Sequence, residues 1–556
     1  MNNLFNDEYH FSNVPQANIQ RSRMRIPFTH KTTFNEGQLI PFLLQEVLPA
    51  STFSATESFC VRMATPIFPV MDDCYLDNFF FFVPNRLIWD HWKEFNGENN
   101  TTYWTQPTEY LTPQLKATNV AAGTLWDYFG LPTNVNAELS VSALPFRAYA
   151  LIWNEFFRSE VVQQPEYFYR GDNDLTYIPT GSSIYGAKVS LANRKFDYFS
   201  SALPSPQKGP AATIPLVGDA PVTTGPFNSN LTDAQKANGM TFGEFTSTWT
   251  GNRYGIFSTQ PASESTGTAK LSVSADATPA TAASIVTYPT NLYADLSAAT
   301  SATINDLRQA FAIQRYYERL GLAGSRYTEF LNAFFGVVAE DARLQRPEYL
   351  GGFRTHINMD QVVQTSSTDS TSPQGNTAAF SLTCNRHHAF TYSSTEHGWI
   401  LGLGVVRVNR TYQQGINRMW SRRDKFDYYL PTFAHLGNQP ILNKELYADG
   451  SETDSEVFGY QEAWAEYRYK PNVVTGAFRS NYTGTLDSWH YADKYDSVPY
   501  LSGDWMAESS VNVQRTLAVQ DEPQFIADIA FSLDATLPMP LYSVPGLSPI
   551  GRIILT

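Results

Sequence analysis

Apolar and polar positions alternate most regularly near the end of the chain. In FIADIAFSLDA, Phe525, Ala527, Ile529, Phe531 and Leu533 share one face, the pattern of a half-buried strand. HGWILGLGVVRVN (397–409) is a continuous apolar run and reads as a buried strand, and EAWAEYRYKP predicts another, with Ala463, Ala465, Tyr467 and Tyr469 on one side. Nearer the start, ESFCVRMATPIFPV and YLDNFFFFVP are β-branched or aromatic runs broken by prolines, short enough for strands. Phe79, Phe80, Phe81 and Phe82 predict a strand over 79–84 covered on both faces, since each buried Phe gains roughly 1.5–3 kcal/mol. The period then changes. Ile88, Trp89, Trp92 and Phe95 predict one helix over 86–96, capped by Asn85 and ended by Gly97. TINDLRQAFAIQRYYERLG opens with a capping-box pattern from Thr303 to Asp306. Leu307, Ala310, Phe311, Gln314 and Tyr317 line one side, and Gly321 is expected to close it. TEFLNAFFG predicts a second, shorter helix.

These elements organise the chain. Residues 1–36 read as an irregular polar arm with a basic knot, RSRMR. Residues 37–203 and 304–556 carry strands joined by long connections and short helices, which suggests one β-sandwich with large loops. Residues 204–303 differ: roughly sixty are Ala, Ser, Thr, Gly or Pro and about ten are charged, with no sustained period, the composition of either a disordered linker or a loop-rich surface excursion. Phe242, Phe245, Trp249, Tyr254 and Phe257 are spread through it and favour an ordered insertion.

Composition narrows the function. Charged residues are 17% of the 556, below the roughly 25% of ordinary globular chains, and aromatics are 14%. Few charges and many rings fit either a large β core or extensive contact with other surfaces. Net charge is −14, so nucleic-acid contact must be confined to local patches. Three cysteines, Cys60, Cys74 and Cys384, argue against a disulfide framework and for a reducing compartment. No secretory signal pattern or stretch of ~18 apolar residues is present.

Catalytic motifs are missing. There is no phosphate-binding glycine loop, GxSxG or HExxH, and GLGVV holds two of the three glycines of a dinucleotide loop. CNRHHAFTYSSTEH gathers Cys384, His387, His388, Glu396 and His397, but adjacent histidines on a strand face apart, so no metal site is expected. Asp72 and Asp73 read as a turn, not a catalytic pair. No cofactor and no catalytic residue is expected. Two basic patches remain. Arg21, Arg23 and Arg25, with Lys31, would share one side of an extended arm. Arg418, Arg422, Arg423 and Lys425 are interleaved with Trp420, Phe426, Tyr428 and Tyr429, a mixture suited to phosphates and stacked bases of single-stranded nucleic acid. The competing reading for both is ion pairing with carboxylates of this chain or a neighbouring copy.

The stretch ATPIFPVMDDCYLDNFFFFVPNRLIWDHWKEFNGE (64–98) closely resembles the major capsid proteins of gokushoviruses, single-stranded-DNA phages of the microvirus family. INDLRQAF (304–311), ERLGLAGSRYTEFLNAFFGV (318–337), DARLQRPEYLGG (341–352), TYQQGINRMWSRRDKFDYYLPTFAHLGNQ (411–439), FGYQEAWAEYRYKPNVVTGAFRS (458–480) and PMPLYSVPGL (538–547) resemble further blocks of that family, in the same order. The resemblance implies a mainly β, eight-stranded antiparallel jelly-roll β-sandwich with long loops and a large surface insertion. It implies a T = 1 icosahedral shell of self-associated copies, assembled in the bacterial cytoplasm around a circular single-stranded DNA genome. Implied partners are an internal scaffolding protein, a DNA pilot protein, a small basic DNA-binding protein and the host cell surface. By position alone, 204–303 corresponds to the family's variable insertion, a threefold protrusion that meets the host. The alternative is a carbohydrate-binding adhesin or hydrolase on a β-sandwich, which needs an exposed stacking platform and, for hydrolysis, two facing carboxylates.

Overall fold

The computed structural model describes residues 19–98, 108–177, 189–210, 304–324, 326–370 and 373–542. Within 211–303 it describes the backbone of short strands. Eight long strands build the main body: β1 (Ser22–Phe34), β2 (Ile40–Val47), β3 (Thr52–Met63), β4 (Cys74–Pro84), β5 (Glu348–His356), β6 (Thr383–Ser393), β7 (Gly398–Val408) and β8 (Phe525–Leu537). They form two antiparallel sheets, one in the order β1-β8-β3-β6 and the other β5-β4-β7-β2. Aromatic side chains interdigitate between them. Phe80 of β4 lies 5.3 Å from Phe390 of β6 and 6.4 Å from Phe531 of β8, and Phe42 of β2 stacks on Phe531 at 5.8 Å.

The four phenylalanines are covered on both sides, as expected. Phe80 and Phe82 point between the sheets, where Phe82 meets Tyr392 at 4.9 Å. Phe79 and Phe81 point the other way, onto Phe157 at 5.2 Å and Phe156 at 4.7 Å. Those partners stand on a widened turn, Trp153–Phe157, that continues a buried helix, Leu144–Ile152. The inward set of β8 follows its alternation, with Phe525, Ala527, Ile529, Phe531 and Leu533 all buried. The glycines of GLGVV serve packing: a Cβ on Gly402 would come within 2.8 Å of Phe42 and 3.0 Å of Phe80.

Several expectations need correction. Residues 22–34 are not an irregular arm but a full strand, because β8 offers thirteen paired positions from Phe525 to Leu537. The helix over 86–96 is two single turns, α1 (Asn85–Ile88) and α2 (Trp92–Phe95). Trp89 takes an extended conformation between them, burying its ring and donating Nε1–H to Asp172 at 2.7 Å. Pro84, not Asn85, precedes the first turn; Gly97 is left-handed as expected (φ 95°). The long helix α3 (Ile304–Ala323) passes through Gly321, and the left-handed glycine is Gly324 (φ 96°); Thr303 lies outside the described residues. The shorter helix α4 (Tyr327–Phe335) ends as predicted, at Gly336. EAWAEYRYKP is not a strand. The strand stops at Glu462, Trp464 turns left-handed (φ 66°), and a single turn spans Ala465–Tyr467. Finally, the cysteines are not all free: Cys60 and Cys384 face each other across β3 and β6, with Cα atoms 4.1 Å apart, and form a disulfide. Their 324-residue separation hid the pairing from the sequence.

By internal contacts the chain divides into Met1–Lys208 with Glu318–Thr556, and Gly209–Tyr317. The second unit holds strands where no period was legible. Arg253–Thr259 pairs with Lys270–Ser274 and Thr241–Glu244, and the latter also pairs with Thr287–Pro289. Tyr254 and Phe242 are direct cross-strand partners.

Candidate functional site

The outer face of the β1-β8-β3-β6 sheet is set by the same two-residue period that fills its inner face. With Ile26 and Phe28 turned inward, Arg23, Arg25 and Lys31 turn outward, and Arg21 continues the row. Arg21 donates to Thr52 Oγ1 at 2.9 Å and Arg25 to Ser532 Oγ at 3.0 Å. Arg23 meets Asp534 and Lys31 meets Asp528, each at 3.0 Å and exposed. Neighbouring strands add Arg62 of β3 and Arg386 of β6, both exposed. The face therefore carries six basic side chains against Asp528 and Asp534. Hydroxyls fill the rows between: Ser54, Thr56 and Ser58 on β3, Ser532 on β8, Thr391 and Ser393 on β6. Rigid paired strands hold these donors, and such a surface accepts phosphate oxygens without reading base identity. Sequence reasoning found the β1 arginines and missed Arg62 and Arg386. Arg62 was legible as the outward neighbour of buried Val61 and Met63, but which strand lies beside which was not.

The second patch is arranged differently. Residues 413–436 form short turns, Arg418–Ser421, Lys425–Asp427 and Pro431–Phe433. Arg418 turns inward, donating to the Pro440 carbonyl at 2.8 Å and lying 3.4 Å from Glu445. Arg422 donates to Glu466 at 3.0 Å and lies over the Tyr467 ring at 4.3 Å. Burial pushes the Glu445 carboxyl up and Arg418 opposes that. Arg423 and Lys425 face out; the Lys425 ammonium sits 4.9 Å from the Phe426 ring. Trp420, Phe426, Tyr428 and Tyr429 are exposed beside them. A cleft of about 360 Å³ opens next to Trp420, lined by Tyr198, Tyr469, Arg418 and Glu466 among others.

The insertion aromatics divide. Phe242, Tyr254 and Phe257 fall on described strands of the Gly209–Tyr317 unit, and Phe245 and Trp249 lie outside the described residues. His387 is half-buried against Phe353, 4.2 Å away, while His388 is exposed. Asp72 accepts the Tyr491 N–H at 2.7 Å, and Asp73 lies 3.3 Å from His356. Among the described residues no group of three or more His, Cys, Asp or Glu is placed to hold a metal, and no helix is long and apolar enough to cross a membrane.

Other charges are spent inside. Asp493 pairs with Arg194 at 2.9 Å and Arg410 at 3.0 Å, all buried, and Arg410 also meets Glu508. Burial alone would raise the Asp493 carboxyl, but the two guanidinium groups hold it down at about 2. Glu36 beside them is raised to about 7, by burial first, with Arg410 opposing.

Known proteins resemble this chain over nearly its whole length. A family model described as "Capsid protein (F protein)" matches residues 12–547. The chain is 41% identical to "Capsid protein VP1" of Chlamydia phage 1, covering 97% of this chain and 98% of that protein. It is 39% identical, with the same coverage, to "Capsid protein VP1" of Bdellovibrio phage phiMH2K and of Spiroplasma virus 4.

Proposed function

This chain belongs to the capsid protein (F protein) family, as the major capsid protein of a microvirus-type phage and not an enzyme, and from that premise we propose how it builds and fills its shell. Copies associate into a small T = 1 icosahedron around single-stranded DNA. The two sheets are the halves of an eight-stranded jelly roll. The pairings β1 with β8, β2 with β7, β3 with β6 and β4 with β5 support that reading, since this nesting is what a jelly roll requires. The outer face of the β1-β8-β3-β6 sheet lines the interior. Arg21, Arg23 and Arg25, with Lys31, meet the genome there. The observation that carries this is the excess of basic over acidic side chains on that face in a chain of net charge −14. Residues 204–303 project outward and touch the host surface. The scaffolding, pilot and small basic proteins are the further partners of assembly.

The test is particle production from a genome carrying Arg23→Ser, Arg25→Ser and Lys31→Ser together. Shells are expected to form with DNA content lowered roughly two- to tenfold, because phosphate neutralisation on one face is lost. Shells with full DNA content would show that this sheet does not line the genome.

A further inference from the structure

We infer that the exposed strip 419–436 is a seam between two copies of this chain, packed against its own counterpart about a twofold axis. The assignment rests on the capsid reading above and names the surface through which one contact of the shell is made.

Two facts about charge decide the occupant. The guanidinium groups of Arg418 and Arg422 are drawn inward, to Glu445 and Glu466. What remains outside is Arg423, Asp424, Lys425 and Asp427, all exposed, two positive and two negative. A strip with balanced, alternating signs repels a phosphate backbone as much as it attracts it. Laid in reverse against an identical strip, it meets opposite charge, which is the condition for an isologous contact.

Apolar surface points the same way. Trp420 is 75% exposed and Leu436 61%, with Phe426, Tyr428, Tyr429 and Leu430 exposed between them. Large rings gathered in one segment with charges interspersed are the composition of an interface core. The segment is also held in place before any partner arrives. The Asp427 carboxylate accepts the N–H groups of Arg423 at 2.7 Å and Asp424 at 2.9 Å. Trp464 donates Nε1–H to the Phe433 carbonyl at 2.9 Å, and the Tyr429 N–H reaches Tyr467 Oη at 3.3 Å. A preordered strip gives up little entropy on docking.

The test compares the full chain with two variants, Trp420→Ser with Phe426→Ser, and Arg423→Asp with Lys425→Asp, each expressed from the phage genome in its host. Folding of the subunit is read by circular dichroism and protease resistance, assembly by sedimentation, and DNA content by absorbance. Both variants are expected to give folded subunits with shell yield lowered at least about tenfold, the loss typical of truncating a central aromatic or reversing an interface charge. Partial recovery of the charge variant in high salt is also expected, as screening removes like-charge repulsion. Shells at normal yield would overturn the assignment. So would shells at normal yield that lack DNA, which would place the strip against the genome. Shells from the unaltered chain in parallel separate a failure of this assignment from a failure of the capsid reading.

Discussion

Glu57 sits on the inner side of β3 with no exposure, and one hydrogen bond reaches its carboxylate, from Asn78 Nδ2 at 2.9 Å. Burial pushes its carboxyl up to about 8, against the smaller opposing effect of Asn78. Burial, with Glu160 beside it, likewise raises Glu329 to about 7, near the value of Glu36. The fold therefore favours the neutral form of all three. Their contribution to stability is complete below the ordinary value of 4.5 and is lost as pH rises through 7–8. Asp493 has the opposite sign: its contribution is held above 3.8 and lost as pH falls through about 2. Urea unfolding should accordingly show lower stability at pH 8.5 than at pH 5. Glu57→Gln should flatten that slope and stabilise the subunit at pH 8.5 by on the order of 3 kcal/mol. Identical curves for Glu57→Gln and the unaltered chain at both pH values would rule Glu57 out as the source. At the same scale, Phe80→Asp should leave no soluble folded chain, since it strands a carboxylate among Phe42, Phe353, Phe390 and Phe531. Recovery of that variant at normal yield with native protease resistance would contradict the packing.

At the scale of elements, strands with a clear period were legible and their pairing was not. The alternation of FIADIAFSLDA and the double-sided burial of 79–84 could be read because local spacing and side-chain size decide them. The same rule failed for EAWAEYRYKP, where Trp464 adopts a left-handed conformation that no local pattern demands of a bulky residue. It failed for 86–96 because Asp172, far along the chain, holds the indole of Trp89 and breaks the helix. Residues 22–34 looked irregular because half of β1 faces solvent and carries Arg and Thr, so its partner β8, some five hundred residues later, supplies the order. The candidate surfaces divide in the same way. Arg23 and Arg25 stand on one face as their spacing foretold, whereas the inward turn of Arg418 and Arg422 depends on Glu445 and Glu466. Gly402 tests the packing of β7. Gly402→Ala should cost about 1–3 kcal/mol in urea unfolding, because its Cβ would press on Phe42, Leu43 and Phe80. No measurable loss would mean those rings have room to move.

For the whole molecule, the division between a sandwich and the Gly209–Tyr317 unit predicts separable roles. Shortening residues 225–286 should leave subunits that fold and form shells, since the strand Val222–Thr224 pairs with Leu292–Ala294 and a segment closed in this way is cheap to trim, while attachment of particles to host cells falls. Intact attachment with failed assembly would reverse the roles proposed for the two parts. The Cys60–Cys384 disulfide adds a consequence of another kind. It closes a covalent ring of more than half the chain, and the whole excursion hangs inside that ring. A protease that cuts once in the excursion therefore opens the ring without dividing the molecule. A nicked subunit should run as one species on a denaturing gel until reductant is added, and only then as two. A subunit cut once within this excursion thus loses the continuity of its main chain while both halves stay covalently joined.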